Sequence, residues 1–290
     1  MIHWMDKSRS DRWRGLKLVL GGWLAMTAGL FVAATAGRWV QQAGGAHGTV
    51  QLVQAVVTAT IVLSLVYVVQ RGVGMGLMLL PWSGKSALSF VCGFGLPCLM
   101  ATAGLAIAAS QGWVTITAWQ ATPGLFAAIA GQLVIALLYE ALPEELTLRG
   151  LVYSGLRMRL PAVLAYVGQV GLFVMVPVTV NALQRWSGQT IGVDITLNYV
   201  ILLLAFGMTL QLWRSLTGSL WASIGFHLAY LTLSRFVVLP RGEQALLRYT
   251  EHEAETGALF VLFGMTVLGT GLVLLAILGA RWAWRRRRLR

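Results

Sequence analysis

Eight apolar runs, each about as long as a bilayer is thick, leave this chain few ways to fold. They lie at about 16–36, 50–70, 87–110, 124–145, 161–183, 196–213, 219–239 and 257–280. In hydrocarbon a backbone must satisfy its own hydrogen bonds, and runs near twenty residues do so as helices. With 57% hydrophobic and 11% charged residues and a mean hydropathy of +0.73, a soluble domain is excluded. The fold expected is all-α: a polytopic membrane protein of about eight transmembrane helices. Long internal loops are absent, so one membrane domain is expected. It divides by sequence into 1–120 (spans one to three), 121–240 (spans four to seven) and 241–290 (the last span and a basic tail).

The net charge of +12 is a matter of topology. Of the 22 basic residues, seventeen fall on one side if the spans alternate. They include Lys7, Arg9, Arg12 and Arg14 at the start and the RWAWRRRRLR tail. Arg38, Arg185, Arg235, Arg241 and Arg248 fall on the other. The positive-inside rule then places both termini in the cytoplasm, and the pattern suits a bacterial inner membrane. The tail reads as an anchor beside anionic lipid, with Trp282 and Trp284 in the aromatic belt, and no nucleic-acid partner is expected. Cys92 and Cys98 read as small core residues without a disulfide. The first apolar run lacks a clear cleavage site and is expected to remain as span one. Residues 71–86 read as a re-entrant or interfacial connection, 111–123 as an uncharged loop, and 240–256 as a solvated polar connection or a partner contact.

One stretch breaks the apolar pattern. Tyr139–Leu156, YEALPEELTLRGLVYSGL, holds Glu140, Glu144 and Glu145, three of ten acidic residues. A charged side chain at membrane depth costs about 2.5–3.5 kcal/mol, so such residues tend to mark a function. On a helix Glu140 and Glu144 share a face, and Glu145 can pair with Arg149 four residues on. Pro143 should kink the helix or open its hydrogen-bond ladder. The alternative is a helix end with its carboxylates at the lipid headgroups. The topology favours the cytoplasmic end of span four. His227, in TGSLWASIGFHLAYLTL, is the only histidine inside a confident span, and span five starts on the same side. A carboxylate near an imidazole can activate water and protonate a leaving amine. The plainer reading of His227 is a packing residue.

Glu144-Glu145-Leu-Thr-Leu-Arg149-Gly150 resembles the EExxxRG signature of the CPBP family, and Gly218–His227, GSLWASIGFH, resembles the approach to its last motif. That family comprises CAAX-prenyl-protease-like and bacteriocin-processing-like intramembrane proteases, also called Abi proteins. The resemblance covers roughly 120–240 and implies a CPBP-like core with a protease site inside the bilayer. By that likeness Glu144 is the candidate general base, Glu145 and Arg149 the supporting pair, and His227 the last-motif histidine.

Two positions depart from the family pattern. Its middle motif, FxxxH, aligns with Phe173-Val-Met-Val-Pro177, so proline replaces histidine. The asparagine of its HxxxN motif is replaced by Leu231. A catalytic zinc or other divalent metal would have only Glu144 and His227 to hold it, fewer than the three ligands such a site needs. Gln169 and Asn181 are polar side chains that can substitute at span five, or bond helix to helix. The resemblance therefore implies either an intramembrane endopeptidase with a partly degenerate site or a catalytically inactive scaffold, chaperone or accessory subunit. The partners expected are the lipid bilayer and a membrane-embedded peptide, protein substrate or partner subunit. A transporter or channel is disfavoured, because the spans carry too few polar residues.

Overall fold

The computed structural model describes residues 9–75, 82–239, 244–252 and 256–288. Its helices are α1 (Arg9–Gln42), α2 (His47–Gly72), α3 (Gly84–Ser110), α4 (Pro123–Arg157), α5 (Ala162–Trp186), α6 (Leu197–Thr217), α7 (Leu220–Leu233) and α8 (Thr256–Arg288). Seven of these, all but α7, are long and apolar enough to cross a membrane. Helix α7 has 14 residues and continues as a wide π-type turn over Ser234–Val238. The all-α, polytopic architecture read from the sequence is the one observed, and the protein is an integral membrane protein. The re-entrant connection expected at 71–86 falls partly on 76–81, outside the described residues.

Packing divides the chain into two compact units. The first holds residues Met1–Leu80 and Leu137–Leu204, the second Pro81–Ala136 and Ala205–Arg290. In the first unit α1 is the central strut. Gly15 lies against the backbone of Gly155, and Gly22 against Thr147 and Leu151, so α1 and the second half of α4 meet almost backbone to backbone. Small residues at such crossings supply the van der Waals contact that replaces a hydrophobic driving force in lipid. The Trp23 indole N–H donates to the Leu172 carbonyl at 3.1 Å and ties α1 to α5.

The second unit contains a feature absent from the sequence reading. Val114–Trp119 (β1) and Leu247–Glu251 (β2) pair antiparallel, Val114 opposite Glu251 and Trp119 opposite Leu247, with an irregularity between Ile116 and Ala118. The first lies in the expected uncharged loop and the second in the expected solvated connection. Each strand is short and far in sequence from its partner, so neither shows a hairpin signature. The ribbon is fixed at its end by side chains. Glu251 Oε1 accepts from the Ala258 N–H at 2.6 Å, satisfying an N-terminal donor of α8. The Tyr249 hydroxyl donates to the Val238 carbonyl. Burial, with the Glu251 charge adding, pushes that phenol up to about 12 and keeps it a donor. Beneath the ribbon, Leu247 joins Leu105, Leu233, Val238, Ala258 and Val261 in one apolar cluster.

Helices α3 and α7 cross tightly in the same unit. A Cβ on Gly93 would collide with the Ala222 carbonyl, and one on Gly225 with the Phe90 carbonyl. Gly95, on another side of α3, faces open space. Replacing Gly93 by alanine forces backbone apart, so Gly93→Ala is expected to cost about 1–3 kcal/mol, as over-packing does. Gly95→Ala should change stability by less than ~0.5 kcal/mol. Thermal unfolding of both variants in lipid nanodiscs measures the difference, and equal melting would refute the crossing.

Candidate active site

Helix α4 carries the acidic motif, and its backbone is irregular where the glutamates lie. Leu137–Ala141 and Glu145–Val152 are wide π-type turns on either side of the short α-helical Leu142–Glu144. Pro143 is the local cause. It offers no N–H and crowds the carbonyl four residues back, and widening the adjacent turns relieves both faults. The Pro143 carbonyl accepts the Thr147 hydroxyl at 2.7 Å. The motif stands in the interior of a 35-residue helix, about 52 Å long, that runs on to Arg157. This corrects the expectation that span four ends at the glutamates. What read as a separate amphipathic piece after them is the same helix, with Leu151 and Val152 fully buried.

The wide turn determines what the charges can reach. On a regular α-helix residues five apart point about 140° away from each other. Here Arg149 Nη1 lies 3.3 Å from Glu145 Oε1 and 3.9 Å from Glu144 Oε2. One guanidinium thus spans both glutamates, which the i,i+4 rule anticipated only for Glu145. Glu145 and Arg149 are wholly buried, while the Glu144 side chain keeps 14% exposure. The Arg149 guanidinium lies over the ring of Phe173, 4.4 Å from its centroid. The phenylalanine of the FxxxH-like segment is therefore the cover on the buried cation, a stabilising cation–π contact.

The exposure of Glu144 is to a cavity of about 420 Å³ within the first unit. Tyr139, Glu140 and Glu144 line it from α4, Phe173 and Pro177 from α5, and Tyr199 from α6. Pro177, where the likeness calls for histidine, faces the same space as the glutamate. Of the two proposed substitutes, Asn181 also lines the cavity, but its Nδ2 donates to the Val193 carbonyl. Gln184 accepts from the Gly192 N–H at 3.0 Å, so both amides brace the α5–α6 loop. Gln169 is fully buried in α5 and is not part of the cavity lining. Arg38 from α1 and Gln54 from α2 complete the polar lining, and the sequence reading missed both. Gln54 is detectable as an amide inside an apolar run, whereas alternation of the spans places Arg38 on the far side from the glutamates.

Structure brings Glu144, Glu145 and Arg149 together in the first unit. His227 stands in the second, on α7. Gly218, with φ of 70°, makes the left-handed turn before that helix, and the Ser219 hydroxyl caps it by accepting from the Trp221 N–H at 3.2 Å. The GS of GSLWASIGFH is thus a turn-and-cap pair. His227 is 2% exposed, its ring edge-on to Phe206 with centroids 5.0 Å apart. Leu231, one turn on, is half-buried. Among the described residues no three His, Cys, Asp or Glu side chains come together, so the donor set does not fit a catalytic zinc.

The buried charges make a specific demand. Removing Arg149 would leave Glu145 ionised and unpaired in an apolar interior, which costs about 3–5 kcal/mol. Arg149→Ala is therefore expected to lower membrane abundance and melting temperature sharply. Combining it with Glu145→Gln should restore part of the loss. An Arg149→Ala variant of unchanged abundance would show the pair to be dispensable.

A family model described as type II CAAX prenyl endopeptidase, Rce1-like, matches residues 126–233. Comparisons with curated proteins and with solved structures gave no match. The matched segment contains the glutamate motif, the Phe173–Pro177 segment and His227. Residues 126–233 are thus similar to a CAAX-protease-like domain, and the match supports the CPBP resemblance of the glutamate motif.

Proposed function

We propose that this protein is an intramembrane endopeptidase with Glu144 as its general base. One observation carries the reading: of the two adjacent glutamates, Glu144 alone opens onto a polar-lined cavity, while Glu145 is fully enclosed beside Arg149. A carboxylate at the edge of such a space can take a proton from water as that water attacks a peptide carbonyl. The same carboxyl then returns the proton to the leaving amine, so protons balance without a metal. Glu145, Arg149 and Phe173 are positioning residues, because they hold the segment that presents Glu144. His227 enters by the family likeness as an assisting acid or hydrogen-bond donor. On this reading 121–240 is the functional core, flanked by 1–120 and 241–290. The ligand is a membrane-embedded peptide or protein segment, and both termini face the cytoplasm of a bacterial inner membrane.

A second reading has a specific observation in its favour. Pro177 and Leu231 occupy two of the motif positions, and neither side chain can donate, accept or ligate. A scaffold, chaperone or accessory subunit built on the same fold would keep the Glu145–Arg149 pair for stability and tolerate these losses.

The two readings separate on one substitution. Membrane peptidomics on cells carrying wild type or Glu144→Gln at matched protein levels should reveal a trimmed peptide made only by wild type. The peptidase reading predicts loss of that product by at least a hundredfold, in line with removal of a general base, and unchanged abundance of the variant. Identical peptide profiles, with the variant still supporting whatever a deletion abolishes, would overturn it in favour of the scaffold.

A further inference from the structure

We infer that Arg38 is an anion-binding subsite of the Glu144 cavity and takes a carboxylate of the peptide ligand. The inference rests on the peptidase reading for the nature of that ligand. Its starting point is a single cation among the cavity's lining residues, which also include Glu140 and Glu144.

Arg38 projects from the C-terminal part of α1, where Leu30, Ala34 and Arg38, spaced four apart, line the cavity along one stripe. An arginine near a helix end can snorkel outward to the lipid interface. Arg38 instead turns toward the cavity wall. Its Nη1 donates to the Thr190 carbonyl at 3.4 Å and its Nη2 to the Thr35 hydroxyl at 3.3 Å. Both acceptors are neutral and both bonds are long, so they orient the guanidinium without cancelling its charge. Thr35 is itself held, donating to the Phe31 carbonyl at 2.9 Å and pairing with the Gln189 side chain. Thr190 belongs to the α5–α6 loop braced by Asn181 and Gln184. The cation is thus seated on a fixed backbone.

A guanidinium has five N–H donors in a planar fork that matches the two oxygens of a carboxylate. Two neutral contacts leave donor capacity for such a ligand. Glu140 and Glu144 repel an anion from their part of the cavity and Arg38 attracts it, so a ligand carrying one carboxylate enters in one orientation. The bond presented to Glu144 is then set by its distance from that carboxylate. Arg38 is in this sense a specificity-determining residue.

The carboxylate can come from the end of a peptide chain or from an Asp or Glu side chain, and three probes distinguish the sources. They are an acetylated apolar hexapeptide with a free C-terminus, the same peptide as its C-terminal amide, and an amide with one internal Asp. Binding to the full-length protein in nanodiscs should be at least tenfold tighter for one acidic form than for the neutral amide. The form preferred names the source. Arg38→Gln should abolish the preference, so that acidic and neutral probes bind alike, and Arg38→Lys should retain most of it. Equal binding of all three probes to wild type would overturn the inference without recourse to any variant, as would a preference that survives Arg38→Gln. The measurement reads binding alone. Acid preference without any product in the Glu144 comparison refutes only the peptidase reading. A product without acid preference refutes only the subsite.

Discussion

A fully buried arginine has to be neutralised and covered, and the first unit is arranged around doing so for Arg149. Its charge meets Glu145 at 3.3 Å and Glu144 at 3.9 Å, and its flat face lies on Phe173. An ion pair in a low-dielectric interior repays its desolvation only when geometry is good on every side. That requirement reaches backwards into the backbone. A regular helix would point Glu144 away, so the wide turn around Pro143 is what allows one guanidinium to hold two glutamates. It also reaches across to α1, because Gly15 and Gly22 let the motif helix sit close enough to exclude water and lipid from the pair.

The two glutamates, adjacent in sequence, are thereby placed in different surroundings. Glu145 is enclosed with its partner Arg149. Glu144 is tethered at one oxygen and opens onto a cavity with Tyr139, Tyr199 and Arg38 in its lining. Two carboxylates in contrasting surroundings are a common basis for separate roles in acid–base chemistry. The presence of Pro177 in the same lining adds a physical statement about the missing histidine. The position that the family likeness assigns to histidine faces the cavity, and proline there offers no polar group.

The second unit is organised differently. Its apolar cluster is closed by the ribbon of β1 and β2, and α8 is capped by Glu251 from that ribbon. His227 lies within this unit with its ring against Phe206, on a helix started by the Gly218 turn and Ser219 cap. The ribbon pairs backbone groups of two segments distant in sequence.

Much was legible in the sequence, because hydropathy is a local property read one residue at a time. The all-α membrane fold, the order of the helices and most of their limits, the Glu145–Arg149 pair and the motif inside the matched segment follow from residue type and spacing alone. The i,i+4 rule is geometry that any helix supplies. What the tertiary structure decided depends on where the backbone departs from regularity or on residues far apart in sequence. The extension of α4 through Arg157 was hidden because its charges imitate a helix end, and they are instead buried by α1 and α5. The reach of Arg149 to Glu144 needed the π-type turn, which no spacing rule announces. Arg38 and Gln54 join Glu144 only because α1, α2 and α4 pack side by side, and β1 meets β2 across a long stretch of intervening chain. Spacing reveals neighbours along a helix; neighbours across helices are set by packing.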